Sequence, residues 1–220
     1  MLCPVIAREY FGNEIYALHF SLEAFSFRPG QYIMAGPAGM CHLREYSLAS
    51  APGSGEGRIL FRRIPQGLVT PVLAELKAGD SLEIRGPFGD FLLPEAGRKG
   101  RILFAATGTG IAPFTSLVHI SSEPEKQPDY TLLHGVRFAR EDYLHGDFNP
   151  GRLILCVSRG EAPSGTFSGR VTGYLRANPD FLNSFDTIYA CGNSDMIYEL
   201  FSLARKTGFR REQLKAEIYF

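Results

Sequence analysis

The sequence predicts two domains, an antiparallel β-barrel followed by a doubly wound α/β domain with a parallel sheet. Its 220 residues suffice for two domains of roughly 100 residues each. The first half is rich in short β-branched and aromatic segments separated by turn residues. In the second half, short apolar runs alternate with helical patterns, which is typical of α/β folds. We therefore expect a barrel over residues 1–97 and an α/β domain over residues 98–220.

The first half combines many short strands with a single helix. Gly12-Asn13 supplies the turn between the first two strands. The helix is expected over residues 70–76, where Val72, Leu73 and Leu76 recur at helical spacing. Because no long linker interrupts this half, the pattern favours a small closed barrel. Strands are expected at residues 5–10, 15–22, 31–34, 46–48, 59–64 and 82–85.

The second half begins near the polar and glycine-rich segment at residues 97–100. Its short apolar runs match buried parallel strands, and they are expected at residues 101–106, 130–134, 153–157 and 187–191. Helices are expected at residues 113–121, 170–177 and 195–207.

Composition excludes several functional classes. Lys+Arg and Asp+Glu both number 23, so the broad basic excess of a nucleic-acid-binding protein is missing. The apolar runs are too short for a transmembrane helix, and no secretory signal is recognisable. The four cysteines show neither CxxC nor ferredoxin-type spacing, which argues against an iron–sulfur centre in this chain. Reduced thiols in a cytoplasmic protein are the simpler expectation.

Hydrolytic and metal chemistry find no support in the sequence. GxSxG and HExxH motifs are absent. No pair among the five histidines has metal-ligand spacing, so we expect no metal site. We interpret His19, His42, His119, His134 and His145 as structural or solvated.

A glycine turn follows the first strand of the second half. Residues 104–114 read as a strand, a turn and a helix start, with Gly108 and Gly110 allowing close approach of the backbone to a ligand. N–H groups at such a helix start face a pyrophosphate in dinucleotide-binding folds. Pro113 suits the first helical turn but makes the motif differ from GxGxxG. A tight turn without a ligand is the alternative.

Two further strand ends carry polar residues or cysteine. Ser158 and Arg159 follow the strand at 153–157, where an arginine can clamp a 2′-phosphate and favour NADP over NAD. A solvated surface arginine is the alternative, and Arg170 either assists or begins a helix. Cys191, before Gly192, is expected to face the same crevice. We expect a steric and polar role for it beside a bound ring, because no histidine is placed as its base.

In the first half, residues 44–47 combine a charged residue with an aromatic one. Strand alternation places Arg44 and Tyr46 on one side and Ser47 on the other, a combination suited to a phosphate and a stacked ring. The segment from Gly67 to Thr70 opens the helix, with Thr70 expected as its cap and its N–H groups as an anion site. Ordinary barrel packing is the alternative for both segments.

Taken in order, these motifs resemble those of the ferredoxin–NADP reductase family over nearly the whole chain. They are RxYS at residues 44–47, GxVT at 67–70, GPFG at 86–89, TGTGIAP at 107–113, SR at 158–159, CGN at 191–193 and EIYF at 217–220. The resemblance implies a flavin-binding barrel and a domain that binds a nicotinamide nucleotide, with FAD and NADP(H) as cofactors.

The same resemblance implies roles for individual residues. Arg44, with the helix start at Gly67, Val69 and Thr70, would hold the flavin pyrophosphate. Tyr46 would stack on the isoalloxazine, and Ser47 would bond near its N5. The NADP pyrophosphate would lie on Thr107, Gly108, Thr109 and Gly110, and the 2′-phosphate on Ser158 and Arg159. The nicotinamide end would meet Cys191 with Gly192, Glu217 as a carboxylate for proton-coupled steps, and Tyr219 or Phe220 as the ring that covers the flavin.

The implied activity is that of an FAD-dependent NADPH oxidoreductase which exchanges electrons with a separate ferredoxin or flavodoxin. Three alternatives remain open at this point. The chain could be an NAD(P)H:flavin reductase, an NADH-linked reductase component of an oxygenase, or a non-catalytic module that senses nucleotide or flavin state.

Overall fold

The computed structural model describes residues 1–23, 25–93, 100–120 and 127–219. It consists of two compact units, one of Met1–Leu93 with Ala112–Glu125 and the other of Pro94–Ile111 with Lys126–Phe220. The expected boundary between residues 97 and 98 lies outside the described residues. Within those residues, no helix has the length and apolar character needed to cross a membrane.

The first unit contains an antiparallel sheet of six strands in the order β4-β3-β6-β1-β2-β5. Turns rich in glycine join the strands, and Asn13 and Glu14 accept positive φ angles of 51° and 63° in the β1–β2 turn. The strands are β1 (Leu2–Tyr10), β2 (Ile15–Ser21), β3 (Tyr32–Pro37), β4 (Arg44–Ser47), β5 (Glu56–Arg62) and β6 (Ser81–Phe88).

This sheet is barrel-like but not closed, so the prediction of a closed barrel is wrong. Its two edge strands, β4 and β5, do not pair along their lengths, and an isolated bridge between Leu48 and Ile59 links them instead. The reason is the shortness of β4, whose four residues all pair with β3 on its other side. The core between the edges is nonetheless continuous, since Leu18, Ile33 and Leu48 are fully buried in one cluster.

The single helix of the predicted barrel, α1 (Thr70–Leu73), is shorter than the expected 70–76. Beyond Ala74, its C-cap residue, the chain reaches a turn before β6 in which the Asp80 carboxylate accepts the Lys77 N–H at 2.7 Å. Gly79 has a φ of +92° in this turn, a conformation that favours glycine.

The second unit is built on a parallel sheet of six strands in the order β10-β9-β8-β7-β11-β12. The strands are β7 (Arg101–Thr107), β8 (Asp129–Val136), β9 (Leu153–Val157), β10 (Phe167–Ser168), β11 (Thr187–Gly192) and β12 (Leu214–Ile218). Within the described residues, the remaining α-helices are α2 (Ala112–Val118), α3 (Val171–Ala177) and α4 (Ser194–Lys206). The predicted doubly wound fold is confirmed, with β10 and β12 as strands that the sequence analysis did not predict.

The order of the parallel strands reverses at the centre of the sheet. From β7 the chain adds β8, β9 and β10 on one side, and it then returns to place β11 and β12 on the other. In open α/β sheets, ligands bind outside the carboxyl ends of the strands at such a switch point. The carboxyl ends of β7 and β11 therefore define the candidate site of this unit.

The four cysteines are free thiols. Cys3, Cys156 and Cys191 are buried, whereas Cys41 is exposed. Burial raises the pKa of the Cys156 thiol to about 12 and raises that of Cys3.

Candidate functional site

The ends of β7 and β11 lie side by side in parallel register, with Ala106 opposite Cys191. After β7 the chain enters a 3-10 turn, Gly108–Ile111, and after β11 it enters α4. Thr107, Gly108 and Thr109 are half-buried and Gly110 is buried. Both predicted loops of this half, TGTG and CGN, are thus brought to one edge of the sheet.

Two glycines permit this close contact. A Cβ on Gly110 would lie 2.4 Å from the Cys191 carbonyl oxygen, and a Cβ on Gly192 would lie 2.4 Å from the Thr107 Oγ1. Gly192 also has a φ of +120°, which side chains rarely adopt. Any larger residue at either position would force the two strand ends apart.

Thr107 and Asn193 fasten the two loops together. The Asn193 N–H donates to the Thr107 Oγ1 at 2.9 Å. The Asn193 Oδ1 accepts the Met196 N–H at 3.2 Å and so caps the first turn of α4. The positive end of the α4 dipole is therefore directed to the same edge of the sheet.

Beside this edge, Cys191, Glu217 and Tyr219 form a second cluster. Cys191 and Glu217 are partners in the β11–β12 register, and the Tyr219 N–H donates to the Gly192 carbonyl at 2.9 Å. Burial and then the Glu217 carboxylate raise the pKa of the Cys191 thiol well above its usual range, while hydrogen bonding to the Tyr219 side chain opposes the rise. The thiol thus stays protonated, which excludes a resting thiolate.

The arginines predicted to bind a 2′-phosphate lie near the ends of the neighbouring strands. Arg159 is exposed, and its guanidinium has no partner among the residues that the structure describes. The Ser158 hydroxyl already donates its one hydrogen to the Val136 carbonyl at 3.0 Å. Arg170 is exposed immediately before α3. Of Ser158 and Arg159, it is therefore Arg159 whose side-chain donors are free within the described part of the chain.

In the first unit, β4 presents the three predicted flavin residues in sequence. Arg44 is exposed and donates through Nη1 to the Leu43 carbonyl at 2.9 Å. Tyr46 and Ser47 are both buried. The predicted alternation, with Tyr46 on one side of the strand and Ser47 on the other, therefore does not appear as a difference in burial. Burial strongly raises the pKa of Tyr46, and the Arg44 charge opposes this.

The Tyr46 hydroxyl is a buried polar atom without a hydrogen-bond partner in the described part of the chain. Its ring packs edge-on against Phe61, with the centroids 6.0 Å apart. A buried hydroxyl without a partner costs free energy unless a ligand supplies one. This position is consequently suited to a bound polar group.

The helix start at residues 67–70 differs in detail from the prediction. The Thr70 Oγ1 accepts the Ile64 N–H at 2.9 Å, and Val69, the N-cap residue of α1, provides no side-chain cap. The expectation that Thr70 caps the helix is therefore wrong, because its hydroxyl closes the preceding turn instead. The Gly67 N–H is also engaged, since it donates to the Ile64 carbonyl at 2.8 Å.

Comparison with known proteins agrees with this geometry. Residues 2–92 match the family of oxidoreductase FAD-binding domains. The chain is 32% identical over 204 residues to the toluate 1,2-dioxygenase electron transfer component of Pseudomonas putida, covering 86% of this chain and 58% of that protein. It is 30% identical over 206 residues to a naphthalene 1,2-dioxygenase/salicylate 5-hydroxylase ferredoxin–NAD(P)(+) reductase component of Ralstonia, covering 90% and 62%.

These matches confirm the resemblance to ferredoxin reductases that the motifs indicated, and residues 2–92 match an oxidoreductase FAD-binding domain.

Solved structures share this fold along nearly the whole chain. A ferredoxin NADP+ reductase from Neisseria gonorrhoeae, with bound FAD and NADP, has a TM-score of 0.84 at 22% identity and covers 100% of this chain and 98% of its own. A cytochrome P450 reductase from Amycolatopsis has a TM-score of 0.83 at 25% identity, with 98% and 68% covered. The chain spans 58% and 59% of the lengths of the first sequence relatives, the toluate and a terephthalate dioxygenase reductase component.

One series of hydrogen-bonded side chains in the second unit was not predicted. The His134 Nε2 lies 3.0 Å from the Gly108 carbonyl, and its Nδ1 lies 2.7 Å from the His145 Nε2. The His145 Nδ1 in turn lies 2.6 Å from an Asp142 carboxylate oxygen. Because a loop brings His145 back to the end of β8, spacing along the sequence gives no signal for this contact.

Burial determines the charge of the inner histidine. His134 is fully buried, and burial, followed by the effect of His145, lowers its pKa to about 3 despite the bond to Gly108. His134 is therefore neutral at physiological pH. The structural interpretation of His134 and His145 stands, but both are attached to the predicted phosphate loop.

Proposed function

We propose that the chain is an FAD-dependent oxidoreductase that takes electrons from NADPH and passes them to a separate ferredoxin or flavodoxin. The observation that carries the proposal is the close contact between the ends of β7 and β11, which Gly110 and Gly192 permit. Cys191, Glu217 and Tyr219 lie beside this contact. Bound FAD would supply the step from a two-electron hydride to single electrons. Residues 1–97 would hold the flavin, and residues 98–220 the nucleotide.

The residues of β4 and the α1 turn fit a flavin nucleotide. The exposed Arg44 offers a guanidinium for a pyrophosphate, and Tyr46 offers a buried hydroxyl without a partner among the residues described. In the described part of the chain, the N–H groups of Leu68, Val69 and Thr70 find no acceptor, so they would join Arg44. Gly67 would shape this turn rather than donate to it. Ser47 would meet the reacting edge of the flavin.

The nucleotide would lie on the backbone of the loop formed by Thr107, Gly108, Thr109 and Gly110. Gly192 would keep this loop backbone accessible, because a side chain at position 192 would collide with Thr107. Arg159 would clamp the 2′-phosphate, assisted by Arg170, and Ser158 would assist only after giving up its hydrogen bond to the Val136 carbonyl. Arg159 is well suited because its guanidinium has no other hydrogen bond within the described residues to give up on binding.

The nicotinamide ring would meet the Cys191 cluster. Since the thiol stays protonated at Sγ, it would contribute shape and a neutral polar contact rather than a nucleophile. Glu217 would serve as the carboxylate for proton-coupled steps, and Tyr219 or Phe220 would cover the flavin before the nucleotide arrives. Phe220 lies outside the described residues.

A second candidate function follows from the sequence relatives. The toluate and naphthalene proteins are named as electron transfer or reductase components of dioxygenase systems. We infer that an oxygenase component or its ferredoxin is an alternative acceptor, in which case NADH could replace NADPH. The proposal places either form in the cytoplasm, in keeping with the wide spacing of the cysteines.

The test begins with the absorbance spectrum of the purified protein after gel filtration, followed by anaerobic NADPH or NADH. A retained flavin that NADPH bleaches faster supports the leading proposal, and faster bleaching by NADH supports the oxygenase alternative. A colourless protein that reduces only added flavin would identify a flavin reductase. A bound flavin that neither nucleotide bleaches would contradict any catalytic function and favour a sensor.

The nucleotide assignment has its own variant. Arg159→Ala should raise the KM for NADPH by about tenfold or more while leaving that for NADH nearly unchanged, because one charge-assisted contact is lost. Arg176→Ala, on an exposed arginine already paired with Glu199 at 2.7 Å, is the matched control. An equal effect of Arg159→Ala on both nucleotides would refute the 2′-phosphate assignment.

A further inference from the structure

We propose that Asp142, His145 and His134 form a proton-dependent brace on Gly108 that sets how tightly the glycine loop binds the nucleotide pyrophosphate. The three side chains and the Gly108 carbonyl are joined by contacts of 2.6, 2.7 and 3.0 Å. The inference rests on the proposed function, and it assigns these side chains a positioning role rather than a catalytic one.

The brace determines the direction of one peptide group. The Gly108 carbonyl is held toward the fully buried His134 ring. A trans peptide is planar, so the N–H of the next residue, Thr109, points away from its carbonyl and therefore away from His134. That direction presents the Thr109 N–H to a ligand on the loop. Gly108 has a φ of +56°, a conformation in which glycine gives little resistance to rotation once the carbonyl is released.

The hydrogen bonds require a defined set of protons. A carbonyl can only accept, so the His134 Nε2 must carry a hydrogen. The ring is neutral, hence its Nδ1 is an acceptor and the His145 Nε2 must donate. The Asp142 carboxylate also accepts, which places a hydrogen on the His145 Nδ1. The complete brace therefore contains a doubly protonated His145.

Loss of one proton from His145 breaks the hydrogen bond at the opposite end of the brace, between the His134 Nε2 and the Gly108 carbonyl. The carboxylate is the stronger acceptor, so the remaining hydrogen stays on the His145 Nδ1 and the Nε2 becomes a bare lone pair. His134 then has to move its own hydrogen to Nδ1 to keep the 2.7 Å contact. The lone pair of the His134 Nε2 would then face the lone pairs of the Gly108 carbonyl oxygen. The hydrogen bond that holds this carbonyl would therefore be lost.

His145 is the member that titrates. Burial lowers its pKa, and Asp142 opposes this effect. In the described part of the chain, the titratable groups against the two rings are Asp142, Tyr143 and the rings themselves. Asp142 is two-thirds exposed, so solvent reaches the His145 end of the brace. Acid therefore completes the brace, and a rise in pH through the lowered pKa of His145 releases it.

Nucleotide binding to the flavin-loaded protein tests the proposal. NADP+ carries both the pyrophosphate and the 2′-phosphate, whereas 2′-AMP carries only the 2′-phosphate. The ratio of their Kd values therefore removes the pH dependence that comes from titration of the 2′-phosphate. The ratio of the NADP+ Kd to the 2′-AMP Kd should rise by about three- to tenfold between pH 5 and pH 8, as expected for one lost hydrogen bond. A ratio independent of pH would overturn the brace.

Variants separate the positioning role from a structural one. His145→Gln keeps a donor for His134 without a titrating ring, so its ratio should stay at the low-pH value throughout. Asp142→Asn should move the midpoint to lower pH, because the imidazolium loses its anion. His42→Gln removes an exposed histidine of the first unit and should behave like the unaltered protein. A pH-dependent ratio in His145→Gln would contradict the proposal.

A spectroscopic readout without nucleotide distinguishes the two proposals. In the ¹⁵N NMR spectrum of histidine-labelled protein, the hydrogen of His134 should move from Nε2 to Nδ1 at the midpoint of His145. A His134 tautomer that stays constant overturns the brace. If the tautomer changes while neither NADP+ nor 2′-AMP binds, the brace is supported as a device of the fold, and the proposed function and its link to nucleotide affinity are overturned.

Discussion

His134 couples the stability of the second unit to pH. Its pKa is lowered from an unfolded value near 6.5 to about 3, because the ring is buried. Below about pH 6.5 the unfolded chain binds a proton that the folded chain does not, so stability is full above that pH and falls as the pH is lowered toward 3.

We therefore predict that the contribution of His134 to the free energy of unfolding falls by about 1.4 kcal/mol for each unit by which the pH is lowered from 6 to 4. Urea denaturation of the unaltered protein and of His134→Asn at several pH values would measure it, since the variant should lack this part of the slope. A variant slope equal to that of the unaltered protein would place the effect elsewhere.

Among the elements, α4 depends on the residue that precedes it. The Asn193 side chain caps the helix through the Met196 N–H, while its own N–H is tied to Thr107. Asn193→Ala should destabilise the protein by about 1 kcal/mol, the usual value of an N-cap. Asn193→Asp retains the cap and serves as the control in thermal unfolding. Equal losses in both variants would show that the amide, and not the cap, is what matters.

The sequence predicted those elements whose pattern is local. The buried run at 101–106 and the amphipathic pattern at 195–207 were found within a few residues as β7 and α4. The edge strand β12 was missed because its exposed Lys215 and half-buried Glu217 give it no apolar run. Its pairing depends on β11, which is distant in the sequence.

The candidate site shows the same division. Glycine at positions 108, 110 and 192 indicated a close backbone approach, and the structure shows this approach between the two strand ends at Gly110 and Gly192. Binding of a ligand there stays a prediction. The engagement of the Thr70 hydroxyl with Ile64, and of His134 with His145, was not recognisable. Both contacts depend on how a loop returns in three dimensions, and neither residue type specifies its partner.

On the scale of the whole molecule, the chain does not divide into two consecutive segments. Helix α2 is buried along its entire length and belongs to the first unit, although it follows the glycine loop of the second unit in sequence. The Phe114 ring lies 5.9 Å from that of Phe91, and Leu117 closely approaches Gly30. The flavin unit therefore needs residues beyond the predicted boundary at 97.

Phe114→Ala should lower the free energy of unfolding by about 3–5 kcal/mol, because it leaves a cavity at a fully buried ring. Leu68→Ala, at a side chain 56% exposed, should change it by less than about 0.5 kcal/mol. Chemical denaturation followed by circular dichroism would compare them. A small effect of Phe114→Ala would mean that the strands of the first unit are stable without α2.

The distribution of the thiols makes the protein convenient to label. Cys41 is exposed, whereas the other three cysteines are buried and their pKa values are raised. A maleimide dye at neutral pH should attach to one position in the folded protein, and Cys41→Ser should abolish the labelling. Cys41 lies three residues before Arg44, so a fluorophore there would report from the immediate neighbourhood of the flavin strand without any engineered cysteine.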